Sequence, residues 1–198
     1  MKALSFCEQF CPEKIEFNKL GKWLGDGSDG EVFLTDKPNI VIKFCILYNN
    51  INEVNKQYWG NTAPLLNYLI SNPIDIFARV YAHEYMGTFP QDFRDVVLYS
   101  YTMEKLEDIS EAEKKVFHTI LSHEDRGIVK NYSIKEVQEI LQGLSLGLDF
   151  DENKVIFFYK NLKKSNINHA DIHPRNIMKD KEGNFKMIDF DRAQLNGE

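Results

Sequence analysis

His169-Ala-Asp171-Ile-His173-Pro-Arg-Asn176-Ile-Met-Lys-Asp-Lys-Glu-Gly-Asn-Phe-Lys-Met-Ile-Asp189 is the stretch from which the remainder of the chain is read. It supplies a carboxylate at Asp171, a side-chain amide at Asn176 and a second carboxylate at Asp189. The last is reached through an Asp-Lys-Glu-Gly-Asn turn and a short apolar run. Hard divalent cations such as Mg²⁺ take oxygen ligands, usually one or two carboxylates completed by substrate phosphates. Asn176 and Asp189 form such a donor pair. Asp171 is left over to receive the proton of an attacking hydroxyl.

The rest of the composition suits that chemistry. A chain of 198 residues, 43% apolar and 13% aromatic, can bury a sizeable core in one domain or two small lobes. Its net charge of −6 argues against a nucleic-acid surface, which needs clustered Lys and Arg in excess. No apolar run of membrane-spanning length occurs, and the opening MKALSFCEQFCPEK lacks the core of a secretory signal, so a soluble, cytoplasmic protein is expected. Cys7, Cys11 and Cys45 are an odd number without a Cys/His cluster beside them, which points to reduced thiols.

Upstream, Gly25-Asp-Gly27-Ser28-Asp-Gly30-Glu-Val32 has glycine spacing used by several nucleotide-binding folds. The residues after the last glycine discriminate between them. A dinucleotide fold opens a helix after the glycines, whereas Glu31–Thr35 reads as a strand, Asp36–Asn39 as a turn and Ile40–Phe44 as a second strand. The glycines therefore tip a hairpin, where positive φ and the lack of a Cβ would let backbone N–H groups reach phosphates. Lys43 lies within the second strand among apolar neighbours. Glu53, on a short helix N-capped by Asn50, is the one acid between Asp36 and Asp75.

These pieces together resemble the protein kinase-like superfamily. His169-Ala-Asp171-Ile-His173-Pro-Arg-Asn176 is similar to the catalytic loop H-R-D-L-x-x-x-N, and Ile188-Asp189-Phe190-Asp191 to the segment carrying D-F-G. The resemblance spans Leu20 to Leu195 and implies an α+β, two-lobed fold. Residues 1–106 would form a small antiparallel lobe with the Gly-rich loop and hinge, and 107–198 a reduced helical lobe with the catalytic loop. It implies ATP with Mg²⁺, or Mn²⁺ in its place, as cofactors. Gly25, Gly27, Ser28 and Gly30 would cover the phosphates, and Lys43, held by Glu53, would grip them. Val32 and Val41 would roof the adenine, Met103 would be the gatekeeper, and the backbones of Glu104 and Leu106 would bond the base. Asn176 and Asp189 would ligate the metal, and Asp171 would be the base.

Two residues depart from the pattern. His173 stands where protein kinases carry a Lys that meets the transferred phosphate, and it can replace that donor only when protonated or in a suitable tautomer. Asp191 replaces the Gly of D-F-G, and a surface ion pair with Arg192 or Arg175 is its simplest reading. IDFDRA and His173-Pro174 are also similar to sugar, aminoglycoside and lipopolysaccharide-sugar kinases, so a small-molecule acceptor is an alternative, as is a pseudokinase interaction module. The chain stops nine residues after Asp189. That layout resembles the minimal kinases that bacterial pathogens deliver into host cells without a cleavable signal. It implies a Ser/Thr hydroxyl on a host protein, such as a chaperone or ubiquitin-pathway enzyme, as acceptor, recognised through residues 107–165 or by an outside partner.

Elsewhere, residues 1 to about 16 show no clear period and are expected to be an arm or a first edge strand. Ile74–Met86 and Asp95–Tyr101 read as strands joined by a Gly87–Pro90 turn. Ser110-x-x-Glu113 and Ser133-x-x-Glu136 are capping boxes that start two helices. Asp149-x-x-Glu152 starts a third that ends near Lys164, with Val155, Phe158, Tyr159 and Leu162 on one face. His118 and His123 have no acidic or cysteine partner at ligand spacing.

Overall fold

Residue Ile40 opens a ten-residue segment that is apolar except for Lys43 and Asn49, and in the computed structural model it is the central strand of a five-stranded sheet. The structure describes residues 3–26, 30–49, 51–91, 94–121 and 132–196. The chain divides into two compact units, Met1–Pro73 with Arg79–Lys105, and Ile74–Ala78 with Leu106–Glu198.

The first unit contains helix α1 (Ala3–Phe10) and strands β1 (Leu20–Asp26), β2 (Gly30–Thr35) and β3 (Ile40–Asn49). Helix α2 (Ile51–Gln57) follows and continues through a wider turn at Tyr58–Thr62 into α3 (Ala63–Ser71). Strands β4 (Val80–Gln91) and β5 (Arg94–Glu104) close the unit. The sheet is antiparallel in the order β1-β2-β3-β5-β4. β3 reads as a continuous apolar run rather than an alternating one because both of its faces are covered. On one face Phe33, Phe44, Ile46, Val96 and Leu98 pack with Phe6 and Cys7 of α1. On the other, Tyr58 packs against Tyr99 with tilted rings 5.0 Å between centroids, and α2 and α3 bury Val54, Leu65, Leu66 and Leu69.

Several expectations are corrected here. The N-terminal segment is a helix, not an arm or edge strand: Ala3, Phe6 and Cys7 form a buried stripe that eight residues are too few to reveal as a period. Helix α3 was not anticipated. Gly87–Pro90 is not a turn. β4 runs on to Gln91, and Gly87 sits at a register shift with φ of 152°, where a Cβ would meet the Phe89 ring at 2.6 Å. Nor does Ile74 begin that strand. Ile74–Ala78 belongs with the second unit, and β4 starts at Val80.

In the second unit the order is β6 (Glu107–Asp108), α4 (Glu111–Leu121), α5 (Ile134–Ser145), α6 (Glu152–Lys164), β7 (Ile167–Asn168), β8 (Ile177–Lys179), β9 (Phe185–Met187) and β10 (Gln194–Leu195). β6, β8 and β9 form one antiparallel sheet, and β7 pairs with β10. Both Ser capping boxes form as expected, Ser110 with Glu113 and Ser133 with Glu136. The cap of α6 is Asp151, which accepts from the Lys154 N–H, and not Asp149. Val155, Phe158, Tyr159 and Leu162 are all buried, and Phe158 and Phe185 pack edge-to-face with Phe117.

Candidate active site

The candidate residues fall in both units, and each set has its own geometry. In the first unit, strand register brings Val32, Val41, Lys43 and Met103 to one face of the sheet. Val32 lies opposite Lys43, Lys43 opposite Tyr101, and Val41 opposite Met103. Directly opposed residues of an antiparallel pair project to the same side, as do residues two apart along a strand. Lys43 is buried, with its ammonium 5.9 Å from the Tyr101 ring centroid. Glu53 is exposed in the first turn of α2, the helix packed beside β3 and β5.

Gly30 opens β2 at the closest approach in this set. A Cβ there would stand 2.5 Å from the Phe44 carbonyl oxygen and 2.9 Å from Cε of Lys43, so glycine leaves room for the lysine stem. The expectation of positive φ is corrected for the two described motif glycines. Neither Gly25 nor Gly30 has it, and a Cβ at Gly25 meets nothing within 4 Å. Gly27, Ser28, Asn50 and His123 lie outside the described residues. Glu31 was missed by sequence reasoning. It is buried, and its Oε2 accepts the Leu4 N–H at 2.9 Å, fastening the start of α1 to the residue after Gly30. Its only sequence signal is a charge beside apolar strand positions.

Met103 and Glu104 end β5. Glu104 is bonded to Arg79 twice, its N–H donating to the Arg79 carbonyl and its Oε1 accepting the Arg79 N–H at 2.8 Å. Leu106, across the division between the units, is buried in the second.

The second unit holds the catalytic-loop candidates together. Asn176 is buried, and its Nδ2 donates to the Asp171 carbonyl at 3.0 Å and to Asp171 Oδ2 at 3.3 Å. Its backbone carbonyl accepts the Ile188 N–H at 2.8 Å, while the Ile188 carbonyl faces Nε2 of His169 at 2.8 Å. Ile188 is thus held through both its N–H and its carbonyl, and Asp189 follows it immediately. Asp189 has φ of 64°, a left-handed conformation uncommon outside glycine but tolerated by Asp and Asn. Such conformations persist where the surroundings over-determine them, which they do at functional sites.

His169 is buried, and burial lowers its pKa, although its bond to the Ile188 carbonyl opposes the shift. The neutral ring therefore donates from Nε2 and serves as a brace. Among the described residues its Nδ1 finds no hydrogen-bond partner. Phe190 is buried, 6.2 Å from the ring centroids of both His169 and Phe77. Asp191 is 3% exposed, so it is a buried residue and not the surface one expected. Ala193 N–H bonds back to the Phe190 carbonyl, turning the chain inward at Asp191. His118 is exposed on α4.

Among the described residues no group of three or more His, Cys, Asp or Glu side chains could hold a metal ion. The donor set to consider is the smaller one of Asn176 and Asp189. Its donors are of the oxygen type that hard cations take: with Nδ2 turned to Asp171, the amide oxygen of Asn176 is the other end of that side chain, and Asp189 carries a carboxylate.

No family model and no curated protein matches the chain. Among solved structures it is similar to WbdD, known from a 2.2 Å crystal structure, at 19% identity and a TM-score of 0.46. That match covers 92% of this chain and 36% of WbdD, so the chain spans about a third of the length of the protein it matches. No helix among the described residues is long and apolar enough to cross a membrane.

Proposed function

We propose that the chain is an ATP-dependent phosphotransferase of the protein kinase type, moving the γ-phosphate of ATP to a Ser or Thr hydroxyl of a protein. The observation that supports this reading is the backbone of Ile188, bonded through its N–H to the Asn176 carbonyl and through its own carbonyl to His169, next to Asp189 and to the loop that carries Asp171 and Asn176. Phosphoryl transfer asks little covalent chemistry of a protein, so fixed positions for a base and for cation ligands are the parts to look for.

In this reading Asp171 orients the acceptor hydroxyl and takes its proton. Asn176 and Asp189 hold Mg²⁺, which when bound neutralises charge developing on the phosphates. Lys43 binds the phosphates beneath the backbone around Gly30, and Val32, Val41 and Met103 offer the apolar surface for a base.

The test is transfer of radiolabelled γ-phosphate in the presence of Mg²⁺ to a eukaryotic cell lysate and, in parallel, to a panel of sugars. Asp171→Ala and Asp189→Ala are each expected to lower transfer by at least ~10²-fold while leaving the fold intact. Transfer that persists in Asp189→Ala refutes the metal assignment. Label on a sugar and not on protein reassigns the acceptor to a small molecule.

A further inference from the structure

We propose that His173 is the positioning residue for Asp171: its ring is held in one tautomer that aims Nε2–H at Oδ2 of the carboxylate and reserves Oδ1 for the acceptor's proton. This rests on the phosphotransfer reading above and changes the role expected of His173, from a phosphate donor to a guide for the base.

The sequence His173-Pro174 sets the ring. Proline disfavours the helical region for the residue before it, and His173 is extended, with φ of −149° and ψ of 163°. Proline also has no N–H, so the first donor of the short 3₁₀ turn Pro174–Asn176 is Arg175. Its N–H donates to Nδ1 of His173 at 3.1 Å. A ring nitrogen that accepts carries no proton, so the neutral imidazole bears its hydrogen on Nε2. Nε2 stands 3.6 Å from Oδ2 of Asp171. That is beyond hydrogen-bond length, but catalytic hydrogen bonds are commonly long in unliganded enzymes and tighten in the complex.

Asn176 Nδ2 reaches the same oxygen at 3.3 Å. Among the described residues both side-chain contacts to this carboxylate therefore converge on Oδ2. A carboxylate anchored through one oxygen loses its freedom to rotate and presents the other in a fixed direction. Both ring nitrogens of His173 face the loop's own groups, one the Arg175 N–H and the other Asp171.

A capping role alone is the competing explanation, and chemistry separates the two. A cap needs only an acceptor near the backbone, which Asn supplies. Positioning needs the more distant donor, which Gln can reach and Asn cannot. Turnover is read as Mg²⁺-dependent hydrolysis of ATP by the full chain, with water as acceptor. His173→Asn is expected to lower kcat on the order of 10- to 100-fold, the scale of a misplaced reacting group, with KM for ATP within about twofold of wild type. His173→Gln is expected to recover most of kcat.

A His173→Asn variant with wild-type kcat, or with raised KM at constant kcat, overturns the proposal in favour of a cap or a phosphate contact. Should His173→Asn fail to fold, ¹⁵N NMR of the wild-type ring decides. Protonation on Nε2 supports the proposal, and protonation on Nδ1 overturns it. A wild-type chain with no Mg²⁺-dependent turnover above that of Asp171→Ala overturns the phosphotransfer reading and this role with it, a result distinct from turnover that is present but indifferent to His173.

Discussion

Gly30 and His169 show what single residues decide in each unit. At Gly30 the obstacle to a side chain is the Phe44 carbonyl, a backbone atom that cannot swing aside, and behind it Cε of Lys43. Gly30→Ala is expected to destabilise the chain by about 1–3 kcal/mol, the scale of overpacking at a rigid site. It should weaken binding of a fluorescent ATP analogue in step. Unchanged denaturant midpoint and affinity would show that the strands part to admit a methyl group. At His169 burial disfavours the charged ring, so its pKa lies below the ordinary value of 6.5. The unfolded chain then binds a proton that the folded chain refuses, and stability falls as pH drops through that ordinary value. His83 is shifted in the same direction by burial. Comparing wild type with His169→Gln in urea at pH 7.5 and 5.5 isolates the contribution: the variant is expected to be less stable at pH 7.5 and to lose less on acidification. An identical pH dependence in the variant would assign the effect elsewhere.

Among the elements, the best test of how local chemistry and packing combine is the start of α4. Glu113 and Glu136 occupy the same place in two capping boxes, but Glu113 is buried and also meets Lys179 Nζ at 2.9 Å. Burial pushes the Glu113 carboxyl up, yet the bonds from Lys179 and Ser110 outweigh it and hold the pKa below the usual 4.5. Its stabilisation is therefore present above that pH and is lost on further acidification. Glu136→Ala is expected to cost about 1 kcal/mol, the scale of a lost cap. Glu113→Ala should cost about 3 kcal/mol, because it also leaves a half-buried lysine without its partner. Adding Lys179→Met should recover part of the second loss and none of the first. Equal costs for the two glutamates would remove Lys179 from the account. Both boxes were legible in the sequence because a cap is a matter of three neighbouring residues. So was the strand-turn-strand from Glu31 to Phe44, and so was the Asp180–Asn184 turn that precedes Asp189. Helix α1 was not, since one stripe of Ala3, Phe6 and Cys7 is defined only by the sheet it meets. Nor was α3, although Pro64 in its first turn and Leu65, Leu66 and Leu69 after it carried a signal.

At the scale of the whole molecule, the chain does not divide at a single point. Ile74–Ala78 lies between segments of the first unit in sequence yet belongs to the second. Its backbone accepts the Met187 N–H at Ile76, 2.7 Å, and donates from Ala78 to the Met187 carbonyl, 2.9 Å, so Phe77 bridges Met187 in parallel. Composition could not reveal this, because the same β-rich residues run on into β4 and the partner strand is remote in sequence. The placement of Asp189 depends on it through a short path. Phe77 is buried and its ring meets that of Phe190, the residue after Asp189, at a tilt, and Met187 lies two residues before Asp189. A fragment of residues 106–198 lacks Ile76, Phe77 and Ala78, all buried, and leaves one edge of β9 unpaired. That fragment is expected to lack the cooperative thermal unfolding and the near-ultraviolet circular dichroism of the full chain. In the intact chain, Phe77→Ala should cost about 3–5 kcal/mol, as removal of a buried aromatic does. It should also lower Mg²⁺-dependent turnover further than Phe117→Ala, whose ring is equally buried but packs on Phe158 and Phe185 away from Phe190. If the two variants lose stability and turnover in the same proportion, Phe77 supports the unit as a whole and not the seat of Asp189.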